Sequence, residues 1–131
     1  MGASTATERV DQAEEHGRRF VAAFNSGDLA AINAMYTEDA VAVWEPGKPL
    51  SGDARKAALA EFIARGPRMT ATLRESHVTD NTAMLIVDWE IDIPAAGGTP
   101  EHLTGTGVDV LRLGADGVWR FAVDNPFSEV R

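Results

Sequence analysis

The chain has 131 residues, with 12 Lys and Arg against 20 Asp and Glu, three His and no Cys. That length supports one hydrophobic core, and 44% hydrophobic with 24% charged residues is the composition of a folded domain, neither disordered nor fibrous. A net charge of −8 argues against a nucleic-acid partner, and the absence of Cys excludes disulfides, thiolate catalysis and Cys-based metal sites.

The first element opens at Thr5-Ala6-Thr7-Glu8, a capping-box pattern, and continues with Val10, Ala13, Phe20, Val21 and Phe24 at helical spacing. Asn25-Ser26-Gly27 stops it. Asp28 then caps a second, shorter helix carrying Leu29, Ile32, Met35 and Tyr36, which Thr37-Glu38-Asp39 ends. Residues 40–44 (AVAVW) read as a short strand, followed by a loop, residues 45–52, that holds two prolines. A third helix is expected from about Asp53 to Arg65, with Ala54, Ala58, Phe62 and Ile63 inward and Gly66-Pro67 as its stop. Segments 69–79, 82–93, 101–113 and 118–125 are rich in Val, Ile, Thr, Leu and Trp. They are separated by turn-forming residues at 80–81, 94–100 and 114–117. The order predicts one α+β domain over residues 1–131: three N-terminal helices on a strongly curved antiparallel sheet, a cone with an apolar interior and one open mouth.

Location and assembly follow from the same pattern. No apolar run reaches the roughly 18 residues of a membrane span, and MGASTATERV has no basic head or apolar stretch of a secretory signal, so a cytoplasmic protein without a membrane partner is expected. On the strand 82–93, Met84 and Ile86 share a face with Asp88, Glu90 and Asp92. No remaining element covers that apolar surface, which predicts a homodimer through the sheet.

The stretch FVAAFNSGDLAAINAMYTEDAVAVWEPGKPLSG (20–52) and the ending GVWRFAVDNPF (117–127) resemble the nuclear transport factor 2-like superfamily, within it the SnoaL-like, ketosteroid-isomerase-like branch. The resemblance spans nearly the whole chain in order of elements. It implies the cone fold strongly and an activity weakly, because this fold hosts isomerases, dehydratases, polyketide cyclases and noncatalytic binding modules. In ketosteroid isomerases the general base is a carboxylate just before a proline after the first strand, and Glu45-Pro46 matches that place. The protonated carboxylic acid of their oxyanion hole matches Asp109 in Asp109-Val-Leu-Arg-Leu113. Their oxyanion tyrosine matches Phe20, which cannot donate a hydrogen bond.

The residues themselves support two readings of each candidate. Glu45 has the strand parity of Val41 and Val43, which points it inward to a desolvated position where a carboxylate becomes a usable base; the alternative is a solvated loop Glu. Asp109 stands among the same-parity residues Leu103, Gly105, Gly107, Leu111 and Leu113, while the opposite face carries Val108 and Val110, so pattern alone does not settle which face is inward; on the inward face it is a buried acid, either protonated or paired with Arg112, Arg120 or a Thr. Tyr36 and Trp44 bracket the turn into the first strand; Trp44 reads as core, as does Trp89, while Tyr36 is either core or, through its hydroxyl, a donor in place of Phe20. Asn125 has the parity of Trp119, Phe121 and Val123, although Asp124-Asn125-Pro126 reads more simply as strand-end turn chemistry. By parity His77 is interior, beside Met69, Ala71 and Leu73. His16, His77 and His102 lack metal-ligand spacing, so neither a metal nor any other cofactor is expected. No G-x-S-x-G elbow is present to support a serine triad. The expected function is therefore a cofactor-free pocket acting on a small hydrophobic carbonyl compound. Glu45 moves a proton α to the carbonyl, and Asp109, with Tyr36, stabilises the enolate oxygen. Isomerisation, cyclisation and dehydration share that step; the alternative is a noncatalytic small-molecule-binding or dimerisation module.

Overall fold

The computed structural model describes residues 5–95 and 98–127, so the expectations resting on residues 1–4, and on part of the 94–100 turn, lie outside the described residues. Helix α1 (Ala6–Ser26) begins with the capping box: Thr5 Oγ1 accepts from the Glu8 amide at 3.1 Å, and Glu8 Oε1 accepts from the Thr5 amide at 3.4 Å. It ends on Gly27, whose φ of 74° lies in the left-handed region that glycine enters without a Cβ penalty. Asp28 caps α2 (Leu29–Asn33) by accepting from the Ala31 amide at 3.2 Å.

Helix α2 is shorter than expected, and Tyr36 belongs to strand β1 (Tyr36–Glu45), not to the helix. The Met35 carbonyl accepts from the Phe121 amide at 2.9 Å and lies 3.2 Å from His16 Nε2, so tertiary partners take the chain out of its helical path. The expected loop at 45–52 contains a short edge strand, β2 (Lys48–Leu50), hairpin-paired to β1 across Gly47 at φ 76°. Pro49 is tolerated there because an edge strand leaves one side of its ladder unpaired. Helix α3 (Gly52–Ile63) presents a different stripe from the predicted one: Arg55 and Leu59 are buried, and Ala54 is exposed.

Strands β3 (Arg68–Val78), β4 (Thr82–Ile93), β5 (Glu101–Leu113) and β6 (Trp119–Asn125) form an antiparallel meander. The sheet order is β2-β1-β6-β5-β4-β3. It is mixed, not wholly antiparallel: β1 runs parallel to β6, with Val41 beside Val123 and Ala42 beside Asp124. A parallel neighbour requires a long crossover, and everything from β2 to β5 supplies it.

Two β-bulges set which side chains face the helices. In β3 the register slips between Leu73 and Glu75, opposite Val87 and Ile86. In β6 one extra residue, Ala122, separates Phe121 (opposite Leu111) from Val123 (opposite Val110). Each extra residue reverses the alternation beyond it. His77 therefore pairs with outward-facing Met84 and is exposed, contrary to its expected interior position. Asp124, not Asn125, turns inward.

The core has two connected parts. Ala13, Ile32, Tyr36, Leu59, Leu85, Leu111, Trp119 and Phe121 fill one; Phe24, Trp89, Ile91 and Ile93 fill the other, with Phe20 and Ile63 packing on both. Gly105 lies directly opposite Trp89, and a Cβ there would stand 2.7 Å from the indole ring, so only glycine lets the ring lie across β5. Among the described residues, no helix is long and apolar enough to cross a membrane.

Candidate functional site

Between α1, α3 and the inner face of the sheet lies a cavity of about 730 Å³. Its walls are aromatic and aliphatic: Phe20 and Phe24 from α1, Phe62 from α3, and Leu85, Trp89 and Phe121 from the sheet. Phe20 stacks edge-on against both Tyr36 and Phe121, with ring centroids 5.9 and 5.0 Å away. A volume of this size with so apolar a lining suits a small organic molecule.

One cluster of polar side chains interrupts that lining. Asp109 of β5 and Asp124 of β6 are directly opposite one another and both open into the cavity. From β1, Tyr36 donates its hydroxyl to Asp124 Oδ2 at 2.7 Å, and Trp44 donates Nε1–H to the same oxygen at 3.0 Å. Burial pushes the Asp109 carboxyl well above the ordinary carboxylate range, and the charge of Asp124 and a hydrogen bond to it push the same way. The Tyr36 hydroxyl is also raised well above its usual value, by burial first and then by Asp124. Charges on these two facing carboxyls would repel each other in so apolar a setting, and Asp109 is the one whose proton the arrangement retains.

The expected residues divide. Asp109 and Tyr36 both line the cavity, but the neighbour of Asp109 is neither an arginine nor a threonine. Asp124, read from the sequence as turn chemistry, is that neighbour, and Trp44, read as core, is one of its donors. Only the bulge at Ala122 reveals Asp124, because strict alternation along β6 points Asn125 inward. Glu45 stands at the cavity mouth, where its side chain is 70% exposed and 3.1 Å from Lys48 Nζ. The expectation of a desolvated Glu45 is thus corrected: the inward face of β1 carries Tyr36, Ala40 and Ala42, and the tight β1–β2 turn holds Glu45 in solvent.

Residues 17–122 match the family model of the SnoaL-like domain. Among solved structures, the chain is similar to a conserved protein from Planctomyces limnophilus (TM-score 0.78, 23% identity, covering 86% of this chain and 90% of that one). It is also similar to a ketosteroid isomerase-like protein from Erwinia carotovora atroseptica (TM-score 0.72, 25% identity, 89% and 93% covered). An NTF2-like protein with a cystatin-like fold from Novosphingobium aromaticivorans aligns with a TM-score of 0.71 at 20% identity, covering 90% and 80%. No curated protein matches the sequence.

Proposed function

The chain belongs to the SnoaL-like domain family of the NTF2-like superfamily, and from that premise we propose that its cavity binds a small, largely apolar carbonyl compound and moves a proton α to the carbonyl. The observation that carries this reading is the Asp109–Asp124 pair, set side by side on facing strands among the aromatic walls of a largely apolar cavity. In the proposed step the carboxylate of Asp124 takes the α proton, and the protonated Asp109 donates a hydrogen bond to the oxygen as it becomes an enolate. Tyr36 and Trp44 orient Asp124 through its Oδ2. Return of the proton at the γ carbon completes an isomerisation, loss of a β hydroxyl completes a dehydration, and attack on a second carbonyl completes a cyclisation. No external oxidant or cofactor enters the balance. Glu45, at the mouth and beside Lys48, has no part in this step.

The test is conversion of a β,γ-unsaturated ketosteroid, followed by the absorbance of the conjugated enone. Wild type, Asp109→Asn, Asp124→Asn and Glu45→Gln are compared. The expected result is turnover that falls by about 10²-fold or more in both Asp variants and persists in Glu45→Gln. Loss in Glu45→Gln with retention in Asp124→Asn returns the base role to Glu45. Absence of turnover in the wild type, with the steroid bound, favours the second reading, a noncatalytic binding module; the donor-less Phe20 supports that alternative.

We also propose that a second copy covers the outer face of the sheet. Across that face Val41, Val123, Val110 and Met84 stand in register on four adjacent strands, with Val108 and Ile86 in the next row, all half-buried. A row of this kind is self-complementary under two-fold symmetry. Sedimentation at micromolar concentration is expected to give the mass of a dimer; a monomer overturns this part of the reading.

A further inference from the structure

Arg55 is the largest of the fully buried side chains, only 1% exposed, and it comes from α3 to lie behind the polar end of the cavity without lining it. Its guanidinium carbon stands 4.3 Å from the centroid of the Tyr36 ring. One Nη donates to Asn33 Oδ1 at 3.2 Å, and Nε has no hydrogen-bond partner. Among the described residues no carboxylate lies within ion-pair distance of it. A buried guanidinium without a carboxylate is costly, and packing alone is served better by an apolar side chain of similar volume.

The charges around the site show what the cation faces. The cations that line the cavity are already paired: Arg18 with Glu15, Lys48 with Glu45, and Arg65 with Glu101. Among the described residues, the side chains that donate to Asp124 Oδ2 are neutral, the Tyr36 hydroxyl and the Trp44 indole. Arg55 is the cation behind the first of those donors, in contact with its ring face, where the π-electrons attract positive charge.

We propose that Arg55 is the positioning residue of the carboxyl pair: seated on the Tyr36 ring, it fixes the hydroxyl on Asp124 and supplies the buried positive charge that lets the pair carry one negative charge. Arg55 acts through Tyr36 and touches no ligand. The same direction of influence is present in Tyr36 itself, whose phenolate form Arg55 favours. This inference rests on the reading of Asp109 and Asp124 as a proton-sharing pair. Facing that pair are Tyr36 from β1 and, behind it, Arg55 from α3; Glu14, Arg18, Glu45, Lys48 and Arg65 are the other charged groups that line the cavity.

The experiment is a carbon-13 NMR titration of the Asp109 and Asp124 carboxyl carbons in wild type, Arg55→Met, Arg55→Gln and Arg55→Lys. In the neutral variants the pair is expected to give up its shared proton at higher pH than in wild type, and Arg55→Lys, which keeps the charge, is expected to lie between. Arg55→Gln keeps a donor for Asn33 and decides the matter if Arg55→Met does not fold. Neutral variants that titrate with the wild-type midpoint, whatever their loss of stability, overturn the role of Arg55, as does a lysine variant no closer to wild type than the neutral ones. A wild-type Asp109 that titrates in the ordinary carboxylate range overturns the underlying reading of the pair instead.

Discussion

In an unfolded chain Asp109 ionises near the usual value of about 3.9, whereas in the fold burial and Asp124 keep its proton on to much higher pH. The native state therefore holds a proton that the unfolded state has released, and stability drains away as pH rises from the unfolded pKa through the raised folded one. Asp109→Asn cannot ionise and still offers a donor to Asp124. It is expected to match wild type near pH 4 and to be the more stable protein at pH 8, as measured by urea unfolding; equal pH dependence in the two refutes a protonated Asp109. His16 runs the other way. Burial lowers its pKa while its Nε2 faces the Met35 carbonyl, so stability is lost as pH falls from about 6.5 through the lowered value. His16→Gln, which keeps a donor, is expected to flatten that acid limb. Tyr36→Phe removes a buried donor from a carboxylate and is expected to cost about 2 kcal/mol. Of these residues Asp109 was legible as a lone acid in an apolar register, and Tyr36 as a candidate donor. Glu45 was not, because parity counted from Val41 and Val43 says nothing of a turn that begins at the next residue.

Strands were legible where their alternation is unbroken, and the misreadings fall where it breaks. Segments predicted at 69–79, 82–93, 101–113 and 118–125 lie within a residue of β3 to β6 at either end. Yet the bulge in β3 moved His77 outward, and the bulge in β6 exchanged Asn125 for Asp124. A bulge changes one backbone residue without a mark in composition, and neither Arg74 nor Ala122 is a turn former that would announce it. Similarly, the parallel β1–β6 pairing is a long-range choice that no local window contains. The phase of β3 can be read chemically, since the chain has no native Cys. His77→Cys is expected to react rapidly with a soluble disulfide reagent and Ser76→Cys slowly, because Ser76 faces inward and donates to Glu14; the reverse order would mean an unbulged strand. Gly105→Ala drives a methyl group into the Trp89 ring and is expected to cost about 1–3 kcal/mol in urea unfolding.

At the scale of the molecule, a net charge of −8 opposes the pairing of two copies, while the apolar row across the outer face favours it. Salt screens the first and leaves the second nearly untouched. The dissociation constant of the proposed dimer is accordingly expected to fall as ionic strength rises, and sedimentation at low and high salt checks this; a constant that rises with salt would mean that ion pairs hold the interface. The parallel neighbour of β1 has a consequence in time. Tyr36 and Asp124 are 88 positions apart, so the hydroxyl waits for every element from β2 to β5 before its acceptor exists. During synthesis the helices and the β1–β2 hairpin emerge first, with one long edge of β1 unpaired until β6 leaves the ribosome. Closing that gap is the least local strand pairing of the sheet, and slow by topology. A nascent chain ending short of β6 has Asp109 but neither Asp124 nor the Phe121 wall, so β6 completes both the lining of the cavity and its acid pair.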